Sequence, residues 1–139
     1  METIQCYRDL RVWKMGMDIA EQSYRLTKSF PRDEMSGMTS QIRRASSSIP
    51  ANIAEGDGRQ SRVGYVQFLK IAQGSLKELE THLLLSIRVE LAAETVVTPL
   101  LTLCDHEGRM LMALIAKLGD NCVREGVADT YDTAEPYSA

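Results

Sequence analysis

The sequence has little from which a sheet, a membrane span or a disulfide frame could be built. Only 6% of its 139 residues are aromatic, and no stretch alternates apolar and polar side chains over a strand's length, so strands are not expected. The longest apolar runs, such as Leu83-Leu84-Leu85, fall far short of the ~18 residues a membrane helix needs. The three cysteines, Cys6, Cys104 and Cys122, are odd in number and form no CxxC, which argues against a disulfide frame or zinc knuckle and for reduced thiols. The start, Met1-Glu2-Thr3-Ile4-Gln5, is polar and acidic, unlike a signal peptide, so a cytoplasmic location is expected. Basic charge is not in excess either: 16 Lys+Arg stand against 19 Asp+Glu. That excludes a uniformly basic nucleic-acid coat but not a local basic patch.

What is present is enough for one globular domain. At 44% hydrophobic, a chain of this length can bury roughly 68% of its unfolded surface and needs no metal or disulfide to fold. Helical spacing dominates it. From about Asp9 to Lys28, with Asp9 as a candidate N-cap, Leu10, Trp13, Met17, Ala20 and Tyr24 share one face, with a second stripe of Val12, Ile19 and Leu26 beside it. A second helix is predicted from about Asp33 to Glu55, with Met38, Ile42, Ala45, Ile49 and Ile53 inward and Gly56-Asp57-Gly58 as a left-handed stop. A third starts after Ser61 and could reach Glu90. Its Tyr65, Leu69, Ala72, Leu76, Leu79, Leu83 and Ser86 make the clearest heptad in the chain. A fourth runs from about Glu94 to Gly119 with Val97, Leu101, Cys104, Leu111, Ile115 and Leu118 on one face, and Pro99 near its start, where proline is tolerated. Short connections predict an all-α, antiparallel up-down-up-down four-helix bundle over residues 1–122. Residues 123–139 read as an acidic, disordered tail.

A catalytic or metal constellation is not found. A di-iron bundle would use Glu-x-x-His, but neither His82 nor His106 follows a Glu by three, and solvated or hydrogen-bonded histidines are the simpler reading. No nucleophile elbow, phosphate loop or dinucleotide fingerprint occurs, so no cofactor, no metal site and no enzymatic activity are expected. The unusual segment is Ser46-Ser47-Ser48-Ile49-Pro50-Ala51-Asn52-Ile53-Ala54-Glu55-Gly56. Pro50 cannot donate to the Ser46 carbonyl and should bend the helix. Asn52 and Glu55, three apart, read either as a polar layer fixing the corner before the third helix or as ligand contacts.

Charge is unevenly distributed. Residues 1–90 carry 13 Lys+Arg against 11 Asp+Glu, and residues 91–139 carry 3 against 8. In an up-down-up-down bundle Arg8, Arg11, Lys14, Arg59 and Arg62 gather at one end, where the acidic tail also emerges. Arg25, Lys28 and Arg32 lie at the other end, and Arg43 and Arg44 stand on the second helix. The first five are the leading candidates for phosphate contacts, with Arg43 and Arg44 second. The alternative is a solvated charged surface. Surplus apolar residues, namely the two stripes of the first helix and Leu84, Leu85 and Leu91 beside the third helix's seam, fit either a subunit interface or a broad core.

Several strings carry a resemblance. They are Asp9-Leu10-x-Val12-Trp13, Phe30-Pro31, Gln41-x-Arg43-Arg44-Ala45, Ser48-Ile49-Pro50-Ala51-Asn52-Ile53-Ala54-Glu55-Gly56, Gly58-Arg59 and Gly74-Ser75-Leu76-x-Glu78-Leu79-Glu80-Thr81. Over roughly residues 7–120 the chain resembles the bacterial four-helix proteins encoded within intervening sequences of 23S ribosomal RNA genes, the S23 family. That family is related to the accessory variability determinant of diversity-generating retroelements. The resemblance implies a homopentamer with a central channel and no known catalytic residues. It also makes RNA, DNA and a reverse transcriptase candidate partners, since the retroelement relative binds nucleic acid and a reverse transcriptase. A protein-interaction scaffold without direct nucleic-acid binding is the second reading. One departure from the family pattern is Gly64, which stands where an acidic residue three after Ser61 would complete a capping box. A frayed start to the third helix is therefore expected.

Overall fold

A computed structural model describes residues 6–124 of the protein, with side chains through Gly119. The described residues form four long helices and no strand: α1 (Arg11–Thr27), α2 (Met38–Asp57), α3 (Arg62–Arg88) and α4 (Glu94–Arg124). Short 3-10 turns at Tyr7–Asp9 and Arg32–Glu34 precede α1 and α2. Each helix packs on two others: α1 on α2, α2 on α3, α3 on α4 and α4 on α1. α4 runs past Gly119, where its end was expected, to Arg124. The remainder of the expected tail, 125–139, lies outside the described residues.

The core forms where four apolar seams meet. α2 contributes Ile42, Ala45, Ile49 and Ile53, and α3 contributes Leu69, Ala72, Leu76, Leu79 and Leu83, as their spacing predicts. Burial of each Leu or Ile in this set stabilises the fold by roughly 1.5–3 kcal/mol. α1 departs from expectation. Its buried residues are Val12, Gly16, Ile19, Ser23 and Thr27, whereas Met17 and Tyr24 of the expected stripe are 45% and 44% exposed. Val12 and Ile19 belong to the expected second stripe, while the other three seam positions are small or hydroxylic, so the inward face is only weakly apolar in the sequence. The hydroxyls tolerate burial because they bond their own helix. Ser23 Oγ donates to the Ile19 carbonyl at 2.8 Å, and Thr27 Oγ1 to the Ser23 carbonyl at 2.9 Å.

Helix ends bring further corrections. Asp9 does not cap α1; that position is Leu10, which makes no side-chain cap bond. Gly56 and Gly58 are not left-handed. Gly56 lies within α2, and Gly58 caps it with φ −82°. Gly56 is instead a point of close approach: a Cβ there would stand 2.8 Å from Phe68 Cβ and 3.2 Å from the Tyr65 carbonyl oxygen. α3 starts regularly at Arg62 rather than fraying, because Ser61 Oγ accepts the Gly64 N–H at 3.0 Å even without an acidic partner.

The left-handed residue is Glu90, φ 64°, just past α3. The Leu91 N–H reaches back to the Ser86 carbonyl at 2.9 Å and the Glu90 N–H to that of Ile87 at 3.0 Å. This is a Schellman closure in which glycine normally takes the left-handed position. Glu90→Gly should therefore stabilise the protein by about 0.5–1 kcal/mol, measurable by urea denaturation.

Candidate nucleic-acid interface

The start of α1 holds the most available cations. Arg11 and Lys14 are three residues apart on one helix and both exposed. Among the described residues neither has an ion-pair partner. Arg8, in the preceding 3-10 turn, is exposed with its guanidinium 5.8 Å from the Tyr7 ring centre. That ring packs edge-on against Trp13 at 5.4 Å, so aromatic side chains hold the turn against α1. The turn also packs on α2.

The α2–α3 corner holds Arg59 and Arg62. Arg59 bonds Glu55, one helical turn back, at 3.1 Å and lies 4.5 Å over the Phe68 ring. Cation–π contact and ion pair fix its direction without burying it, since its side chain remains 46% exposed. Arg62 is half-buried and also partnered.

Arg43 and Arg44 part company. Arg43 turns toward α1, donating from Nε to Thr27 Oγ1 at 2.8 Å and lying 4.7 Å over the Tyr24 ring. It clamps the end of α1 onto α2. Arg44 is exposed and borders a groove of about 370 Å³ between α2 and α3, with Ser47, Ser48, Ser75 and Glu78. Arg25, near the other end of α1, pairs with Glu21.

The Pro50 motif is structural in its contacts. Pro50 is buried inside α2 and faces Gly16 of α1, whose Cβ position lies 3.5 Å from Pro50 Cβ. Asn52 and Glu55 do not form one polar layer. Asn52 Nδ2 donates to the Ser48 carbonyl at 2.8 Å and to its hydroxyl at 2.9 Å, and that hydroxyl meets Ser75 Oγ of α3 at 2.8 Å. Glu55 is exposed and belongs to Arg59. The polar layer between α2 and α3 is thus Ser48, Asn52 and Ser75.

This stretch of geometry coincides with a family match. A model of the 23S rRNA-intervening sequence protein matches residues 8–113. The chain belongs to that family. Among solved structures it is similar to a protein of unknown function from the S23 ribosomal protein family of Bacteroides thetaiotaomicron. The two share 27% identity and a TM-score of 0.67, over 75% of this chain and 97% of the other. No curated protein matches. The matched span includes every basic residue described above and the whole Pro50 motif.

Two more features lie inside that span. Between α3 and α4 a groove of about 620 Å³ opens where Gly74 and Gly108 leave room, floored by Leu76 and Cys104 and edged by Met112. Burial pushes the Cys104 thiol up to about 12, helped by Glu80 and Glu107 and opposed by Lys77. Among the described residues no group of three or more His, Cys, Asp or Glu is placed to hold a metal, and no helix is long and apolar enough to cross a membrane.

The other feature is Glu107. It is fully buried, and neither carboxylate oxygen has a hydrogen-bond partner. Burial alone pushes its carboxyl up to about 8. It occupies the inward register of α4, between Cys104 and Leu111. The spacing that predicts those two as core residues leaves a gap at 107, which was the available signal.

Proposed function

We propose that this family member is a non-enzymatic, cytoplasmic, up-down-up-down bundle that assembles with copies of itself, as a pentamer, and binds nucleic acid through one basic end. The observation that carries the binding reading is the exposed Arg11–Lys14 pair, without an ion-pair partner among the described residues, with Arg8 beside it. The order of helix contacts supports the topology. Thr27 meets Arg43 while Gly16 meets Ile49, and Ser48 meets Ser75 while Gly56 meets Phe68. In that arrangement the start of α1 and the α2–α3 corner lie at the same end, so Arg59 and Arg62 extend the Arg8, Arg11 and Lys14 surface. Arg44 is a secondary contact, and Arg43 supports the fold rather than the ligand. Self-assembly is supported by apolar side chains left on the surface, among them Met17 and Tyr24 on α1 and Leu84 and Leu85 on α3, 42–52% exposed.

A gel shift of the full chain with structured RNA and duplex DNA at two salt concentrations tests the binding. Three phosphate contacts would weaken affinity about 40-fold between 50 and 200 mM salt. Arg11→Ala with Lys14→Ala should remove about two contacts from that slope and leave thermal stability unchanged. Residues 125–139 carry Glu125, Asp129, Asp132 and Glu135 and no Lys or Arg. Their removal should tighten binding at low salt, and unchanged affinity there would discard a competing tail. Light scattering reads the subunit number.

The exposed leucines and the α3–α4 groove also favour a second reading, a scaffold for a protein partner such as a reverse transcriptase with no direct nucleic-acid contact. Absence of any shift at low salt would select it.

A further inference from the structure

Most buried polar groups in the described residues are satisfied locally: Ser23, Thr27, Ser46 and Ser86 each bond a carbonyl of their own helix. Beside the unpartnered His82 Nδ1, the exception among the described residues is Glu107. Its carboxyl is 0% exposed with both oxygens unpartnered, an arrangement that carries a large desolvation cost if the group is charged. Among the described residues no counter-charge faces it. α1 faces it with Gly16, whose Cβ position lies 3.3 Å from Oε2, and α2 stands behind Gly16 with Ile49 and Pro50. On α4 the adjacent titratable group is the buried Cys104 thiol, which stays neutral. From α3, Lys77 and Glu80 act on Cys104 but are paired with each other at 3.1 Å.

Gly16 is what admits the carboxyl to this position. A side chain there would stand against Oε2, Ile49 and Pro50 at 3.3–3.5 Å. The α1–α4 seam is thus shaped around a carboxylic acid for which it provides neither an ion-pair partner nor a hydrogen bond.

We propose that Glu107 is a proton-dependent latch on the α1–α4 seam, closed while the carboxyl carries its proton and opened when the proton leaves and water must reach the carboxylate. No other group needs to change charge. The proton passes to solvent, and the open seam replaces Gly16 by water around the ionised oxygens. With a midpoint of about 8 when closed and 4.5 when open, the closed state loses ground progressively between those two values and levels off above the higher one.

Hydrogen exchange on the full chain, corrected for the base catalysis of exchange itself, tests the latch. A carboxyl that titrates near 8 when closed and near 4.5 when open makes seam opening about a hundred-fold more frequent at pH 9 than at pH 6. Protection of Val12–Ile19 and Cys104–Leu111 amides should fall by that factor, and in Glu107→Gln it should stay level. An equal fall in both proteins would overturn the latch. If Glu107→Gln does not fold, the carboxyl carbon resonance of Glu107 in the unaltered protein decides. A midpoint near 8 supports the proposal, and one near 4.5 refutes it.

Discussion

Replacing Glu107 by methionine should stabilise the protein by about 3 kcal/mol at pH 7. The side chains have similar length, and methionine adapts to irregular gaps, so packing against Gly16 is retained while the uncompensated carboxyl is removed. The size of the effect follows from linkage. The folded carboxyl holds its proton up to about 8, whereas the unfolded one releases it near 4.5. A raised acid pKa gives stability that is fully present below the unfolded value and lost as pH rises through the folded value. Between pH 4.5 and 8 the unfolded chain therefore gains progressively on the folded one. The advantage of Glu107→Met should be small at pH 4, grow through neutrality, and level off near 5 kcal/mol above pH 9. Urea denaturation of both proteins from pH 4 to 9 reads the difference, and the subtraction cancels every other titrating group. A stability difference that does not vary with pH would show that the folded carboxyl titrates as the unfolded one does, overturning the raised value.

That residue also marks where reading the sequence stops. The α3 heptad is legible because each seam position is apolar or small and the steps of three and four never break. α2 is legible for the same reason from Ile42 to Ile53. On α1 the inward face carries Gly16, Ser23 and Thr27, so the neighbouring stripe of Leu10, Trp13, Met17 and Tyr24 has the stronger apolar signal yet lies nearer the surface. Ser23 and Thr27 reach burial by bonding their own helix, which periodicity does not register. On α4 a charged residue in the seam is discounted, although its register is that of the core. Arg43 and Arg44 are equivalent as letters. Their separation depends on a third element, the end of α1, which supplies Thr27 and Tyr24 to one of them only. The exposed Arg11 and Lys14 were legible because the first turn of an amphipathic helix leaves its cations outside whichever stripe is buried.

Gly56→Val should cost the protein about 3 kcal/mol, close to 10 °C in melting temperature for a chain of this size. As a left-handed stop, position 56 would tolerate asparagine and resist any β-branched side chain for reasons of backbone alone. The structure gives a different reason. Gly56 is helical, and its missing Cβ makes room for Phe68 Cβ at 2.8 Å and the Tyr65 carbonyl at 3.2 Å. Neither neighbour is the free end of a flexible chain, so α2 and α3 must part to admit even one carbon, and valine adds two more. Gly58 provides the control on the same corner. Its φ of −82° suits any residue, and a Cβ there meets nothing nearer than 3.6 Å, so Gly58→Ala should be neutral or slightly stabilising. Asparagine at 56 then separates the two accounts, being benign for a cap and nearly as damaging as valine for a packing site. The same displacement would lift Phe68 from Arg59, whose guanidinium rests on that ring at 4.5 Å. A Gly56→Asn protein that still folds should therefore bind nucleic acid more weakly if the α2–α3 corner is part of the interface, and unchanged affinity in a folded variant would place the contacts at the start of α1 alone.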